Sequence, residues 1–184
     1  RNPGHAAEVA ETGAAPVVAD VEHLGIEEIA DTIQGHDALV WSAGAGGGNP
    51  ARTYAVDRGA AIRSMGAAQE AGVTRYVMIS SFGAGAGHGV ARDDPFFPYA
   101  EAKATADNYL RGTFLSWTIL GPSALTLDPG TGRIEVGDDL APGRVSREGV
   151  ARVAAAVLDV PETIGRFIAS NNGDTPIEDA IRSL

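Results

Sequence analysis

Short β-branched apolar runs alternate with helical segments along this chain, and that alternation narrows the possible folds more than any other feature. The run "APVVAD" (15–20) predicts a buried strand ending in Asp20. "GIEEIADTI" (25–33) places Ile26, Ile29, Ala30 and Ile33 at helical spacing. "DALVWSAG" (37–44) predicts a second strand, stopped by glycine, and "ARTYAVDRGAAIRSMGAAQEAG" (51–72) a long helix ended by Gly72. A third strand, "RYVMISS" (75–81), precedes a helix over 95–112, and a fourth, "SWTILGPS" (116–123), follows it. The pattern closes with a helix over 146–159 capped by Ser146, a strand "RFIAS" (166–170) and a short helix over 176–184. Strands and helices in strict alternation with short connections imply βαβ units, hence an α/β fold with a doubly wound parallel sheet. Residues 124–145 are rich in Gly, Pro and Asp, and predict an excursion past the carboxyl edge of the sheet, on the substrate side, with one short alternating stretch, "RIEV" (133–136).

The 184 residues suit one domain spanning 1–184, and there is no linker long enough to divide them. With 24 glycines and 6% aromatics, the core has to be built from small side chains on closely approaching backbones. A net charge of −10 argues against nucleic acid as a partner. No apolar run approaches membrane-spanning length, and no membrane partner is expected. The chain has no cysteine, which excludes disulfides and thiol chemistry and is compatible with a cytoplasmic protein. Its four histidines lack ligand spacing, so no metal site is expected.

Open α/β sheets bind ligands beyond the carboxyl ends of their strands. The residues to question are therefore Asp20 and Val21, Ser42, Ala43 and Gly44, Ser80 and Ser81, and Gly121, Pro122 and Ser123. Asp20 could accept a bond from an adenine amino group, or simply shape the turn before the next helix. "SAGAGGG" (42–48) brings bare backbone to that rim, but a G-x-G-x-x-G phosphate loop starting at Gly44 would need glycine at 49 and finds Asn49. Tyr99 and Lys103, in "PYAEAK" (98–103), share a helix face at i, i+4. A neighbouring ammonium lowers a phenol's pKa, so such a pair could exchange protons near neutral pH, with Ser81 binding the same substrate oxygen.

A strand ending in Ser-Ser, a glycine-bearing loop and Tyr-x-x-x-Lys on the next helix resembles the short-chain dehydrogenase/reductase superfamily. The finer likeness is to its atypical branch, the NmrA-like and NAD-dependent epimerase/dehydratase-type NAD(P)H-binding proteins. It is carried, in order, by "VVADV" (17–21), "DALVWSAG" (37–44), "AGVTRYVMISSFGA" (71–84), "PYAEAK" (98–103), "WTILGPSALT" (117–126) and "GRVSREGVARVAAAVL" (143–158). The resemblance implies a Rossmann-like fold and an NAD(P)-dependent oxidoreductase or epimerase-like enzyme acting on a small carbonyl or alcohol. The alternative it leaves open is a non-catalytic NAD(P)H-binding redox sensor or scaffold, either one a monomer or homodimer.

By the same resemblance, Ser81 binds the substrate oxygen, Tyr99 is the acid/base, and Lys103 holds the nicotinamide ribose. Asp20 and Val21 hold the adenine. Ser42, Ala43, Gly44 and Ser80 line the cofactor, and Pro122 and Ser123 lie near the nicotinamide amide. Arg1 falls at the family's ribose-selector position, which favours NADP over NAD as cofactor. The family's first strand and Gly-rich turn have no counterpart here, so the domain is expected to be N-terminally incomplete. Gly121 stands where relatives often carry Arg before Pro, and Asp57 where extended members often carry Asn.

Overall fold

The structure is a computed structural model and describes residues 1–184. Four strands, β1 (Ala38–Trp41), β2 (Arg75–Ile79), β3 (Ser116–Pro122) and β7 (Arg166–Asn172), pair in parallel in that spatial order. Two more extend the sheet beyond β7: β5 (Arg133–Val136), antiparallel to β7, and β8 (Thr175–Pro176), antiparallel to β5. A separate pair, β4 (Ala124–Thr126) and β6 (Arg144–Ser146), is parallel. The helices are α1 (Ala6–Glu11), α2 (Ile26–Ile33), α3 (Pro50–Thr53), α4 (Ala61–Glu70), α5 (Phe97–Arg111), α6 (Arg147–Ala156) and α7 (Ile177–Arg182). The fold is Rossmann-like: a mostly parallel central sheet between helical layers.

Alternation along the strands sorts side chains onto two faces. Tyr76, Met78 and Ile119 enter one apolar core with Leu39, Trp41, Met65 and Leu110, beneath α4 and α5. Val77 and Leu120 enter the other with Val153, Ile168 and Ile181, beneath α6 and α7. Ser146 caps α6 by accepting from the Gly149 amide at 3.0 Å, and the Glu28 carboxylate accepts from the Gly25 amide at 2.8 Å at the start of α2.

Two expectations change. Residues 15–20 are extended but pair with no strand, and Val17 and Val18 are 67% and 54% exposed. Extended backbone becomes a strand only through a neighbour's ladder, and β1, at the edge of the sheet, pairs with β2 alone. The 124–145 segment does not stay outside the sheet. Ile134 is fully buried in the second core, and that burial draws β5 into antiparallel register with β7.

The long helix predicted over 51–72 forms, with one irregularity: Tyr54–Ala60, between α3 and α4, is a π-helical segment containing Asp57. Such bulges are concentrated at functional sites.

Candidate active site

Tyr99, Lys103 and Asp107 follow one another at four-residue intervals down a single face of α5, which packs over the ends of β2 and β3. Lys103 is 3% exposed, and its Nζ donates to the Ile79 carbonyl at 2.7 Å. It is the only lysine in the chain. Asp107 is wholly buried, and its Oδ2 accepts from the Ser80 hydroxyl at 2.6 Å, while Oδ1 has no partner. Burial pushes the Asp107 carboxyl up to about 6, against the opposing pull of Ser80, Lys103 and Arg111.

The expected activation of Tyr99 by Lys103 is not what the structure shows. The phenol is pushed up to about 12, first by burial and then by the carboxylates of Asp57 and Asp107, with the Ser81 hydroxyl offsetting part of the rise. Burial also lowers the pKa of Lys103, and the same two carboxylates oppose that shift. The ammonium thus lies in the field of two acids, and its nearest bond is to a backbone carbonyl. The Tyr99 phenol therefore stays neutral throughout the physiological range.

Asp57 is 2% exposed, and its Oδ2 accepts from the Ala45 amide at 3.0 Å. A Cβ on Gly44 would come 3.0 Å from its Oδ1, so the glycine lets the loop after β1 settle onto this carboxylate. Gly46, Gly47 and Gly48 follow with φ of 81, 81 and 77°, and no atom lies within 4 Å of where their Cβ atoms would be. Together they leave a bare backbone cradle. It forms one wall of a cleft of about 820 Å³, whose lining includes Ser42, Ala43, Gly44, Ser80, Tyr99 and Lys103.

The other candidate residues lie elsewhere. Asp20 turns onto its own turn, accepting from the Glu22 amide at 3.4 Å and facing His23 at 3.3 Å. Val21 borders a small apolar pocket over Leu39 and Trp41. The Ser123 hydroxyl accepts from the Gly143 amide at 3.1 Å, and the Pro122 carbonyl from the Phe82 amide at 2.9 Å, so both brace loops. Arg1 pairs with Glu22 at 3.0 Å, and Arg52 shares that carboxylate at 3.0 Å. The Gly121 departure has a packing cause: a Cβ there would fall 2.3 Å from Cζ of Phe167.

Asp107 was not singled out from the sequence, although its place four residues past Lys103 was a usable signal. Arg92 and Arg147, which also line the cleft, carried none, because they come from the irregular 82–97 loop and from the helix start after residues 124–145.

A parallel sheet carrying a glycine cradle and a Tyr-Lys pair beyond its strand ends defines a dinucleotide-binding α/β protein of the short-chain dehydrogenase/reductase kind. The sequence matches the NAD(P)H-binding family over residues 1–161, and the chain belongs to that family, in its atypical, NmrA-like branch. It is 37% identical over 174 residues to the uncharacterized sugar epimerase YhfK of Bacillus subtilis, spanning 94% of this chain and 79% of that protein. Among solved structures it is similar to a Bacillus halodurans protein provisionally assigned as an NAD-dependent epimerase/dehydratase (TM-score 0.90, 30% identity, covering 100% of this chain and 85% of that one). It is also similar to the oxidoreductase ylbE of Lactococcus lactis, at TM-score 0.82 and 32% identity, covering 91% and 76%.

Proposed function

We propose that the protein is an NADPH-linked reductase of small carbonyl compounds, with Tyr99 as proton donor. The observation that carries this is the state of Tyr99: a neutral phenol on the wall of the cleft, beside Ser81, over a buried ammonium. A group held protonated to about 12 suits giving a proton to a developing alkoxide better than taking one from an alcohol. The residues present fit the cofactor at one end. The open backbone of Gly46, Gly47 and Gly48 leaves room for ribose and phosphates, and Lys103 and Tyr99, which line the same cleft, would hold the nicotinamide end. Asp20 and Val21 contribute nothing to this cleft and would serve only an adenine lying beyond it.

When bound, the reduced nicotinamide supplies a hydride to the carbonyl carbon. The Ser81 hydroxyl donates to the carbonyl oxygen and orients it. The Tyr99 O–H gives up its proton to that oxygen, yielding the alcohol. Lys103 stabilises the resulting phenolate until solvent restores the proton. Arg1 and Arg52 meet on the carboxylate of Glu22, and a guanidinium at that end suits the paired hydrogen bonds of a ribose phosphate, which supports NADP over NAD.

The test is to follow NADPH consumption with a panel of quinones, aldehydes and ketones. Turnover of at least one class is expected. Tight NADPH binding with no turnover of any compound would instead favour a dinucleotide-binding sensor.

A further inference from the structure

The substrate's chemical class can be read from the arginines. Every arginine except Arg92, Arg144 and Arg147 engages a carboxylate, a backbone carbonyl or an aromatic ring. Two of those three unpartnered guanidiniums, Arg92 and Arg147, line the same cleft as Tyr99 and Lys103. They reach it from independent segments, Arg92 from the loop between β2 and α5 and Arg147 from the first turn of α6. The carboxylates that line this cleft are Asp57 and Asp94. Asp57 is buried against the Ala45 amide, and Asp94 accepts from the Phe96 amide at 2.7 Å, so neither forms an ion pair with the arginines. In a chain of net charge −10, two free cations lining the cleft that holds Tyr99 and Lys103 are not the background pattern. Planar guanidiniums match carboxylate and phosphate oxygens through paired, charge-assisted hydrogen bonds.

We propose that Arg92 and Arg147 form an oxyanion subsite that selects carbonyl substrates carrying a carboxylate or phosphate group. The proposal rests on the reductase reading above and names its substrate class. The anion would be fixed at the open side of the cleft, leaving the carbonyl to reach Ser81 and Tyr99. Holding the charged end converts remote binding into orientation at the reacting centre.

Two matched pairs test this with the intact protein: 4-carboxybenzaldehyde against its methyl ester, and glyceraldehyde 3-phosphate against glyceraldehyde. NADPH consumption gives kcat/KM, calorimetry gives binding in the presence of NADP⁺, and NADPH affinity is measured separately. The expected result is at least a tenfold preference for the anionic member of one pair. That preference should vanish in the Arg92→Gln, Arg147→Gln double variant, with NADPH affinity unchanged. The pair that discriminates tells carboxylate from phosphate. Equal handling of acid and ester and of phosphate and free sugar, failure of both anionic compounds to bind, or a preference that survives the double variant would overturn the proposal. So would a matching loss of NADPH affinity, which would assign the two arginines to the cofactor's own phosphates. If the wild-type protein bound no NADPH, the reductase reading itself would fall, an outcome distinct from all of these.

Discussion

The Ser80 hydroxyl donates a 2.6 Å hydrogen bond to Asp107, one helical turn beyond Lys103, and so ties the end of β2 to the face of α5 that carries the Tyr-Lys pair. The bond sits in a fully buried place, and the second carboxylate oxygen has no partner. Asp107 is therefore a strained choice for stability that keeps an acid beside the site.

That strain has a predicted pH signature. The folded-state pKa of Asp107 is raised, to about 6 from an ordinary 3.8. Its contribution to stability is thus intact below the unfolded value and is lost as pH rises through about 6. Above pH 7 the penalty is on the order of 3 kcal/mol. Asp107→Asn can still accept from Ser80 but carries no charge. Urea denaturation should show the variant as stable as wild type or more so at pH 7.5, with any advantage fading toward pH 4. A large loss of stability at pH 7.5 would show that the charge itself holds the fold.

Gly121 and Phe167 make a second, local prediction. A Cβ at 121 would fall 2.3 Å from the ring, so Gly121→Ala overpacks a buried strand. Such overpacking typically costs about 1–3 kcal/mol. Gly121→Ala should lower the midpoint of denaturation, and Phe167→Leu in the same chain should restore part of the loss. Additive losses in the double variant would mean that the ring is not the obstacle.

Much of this was open to reading in the sequence. The βαβ rhythm, the Ser146 cap and the Tyr99–Lys103 stripe follow from local pattern, because periodicity and capping are local physics. What failed depended on distant partners. Residues 15–20 have a strand's composition, but strand formation needs a neighbour, and none pairs with them. "RIEV" looked peripheral, yet Ile134 is buried under α7 and carries its strand into the sheet. The upward shift of Tyr99 comes first from burial and then from the Asp57 and Asp107 carboxylates, none of which the four-residue spacing to Lys103 reveals. Asp57 lies 42 residues before Tyr99, and only the folded π-helical segment brings its charge to bear.

Lys103→Met separates the roles on α5. The substitution removes the ammonium and leaves the Ile79 carbonyl without its 2.7 Å donor. Both turnover and NADPH affinity should fall, since the proposed ammonium serves ribose and phenol together. Unchanged affinity, measured by fluorescence titration, would confine Lys103 to the phenol.

Cofactor choice is tested at the other end of the chain. NADPH should bind more tightly than NADH at one salt concentration, and Arg1→Gln should narrow the gap. Equal affinities in the wild type would show that Glu22 neutralises the charge offered by Arg1 and Arg52.

The most direct measurement is the turnover of Tyr99→Phe, set beside its NADPH affinity. The substitution deletes one hydroxyl and keeps the ring that packs beside Phe96. If Tyr99 is the proton donor, turnover of the best carbonyl substrate falls by about 10²–10⁴-fold, while NADPH affinity is unchanged. A Tyr99→Phe enzyme with wild-type turnover would contradict the account, and the donor would have to be another group on the same rim.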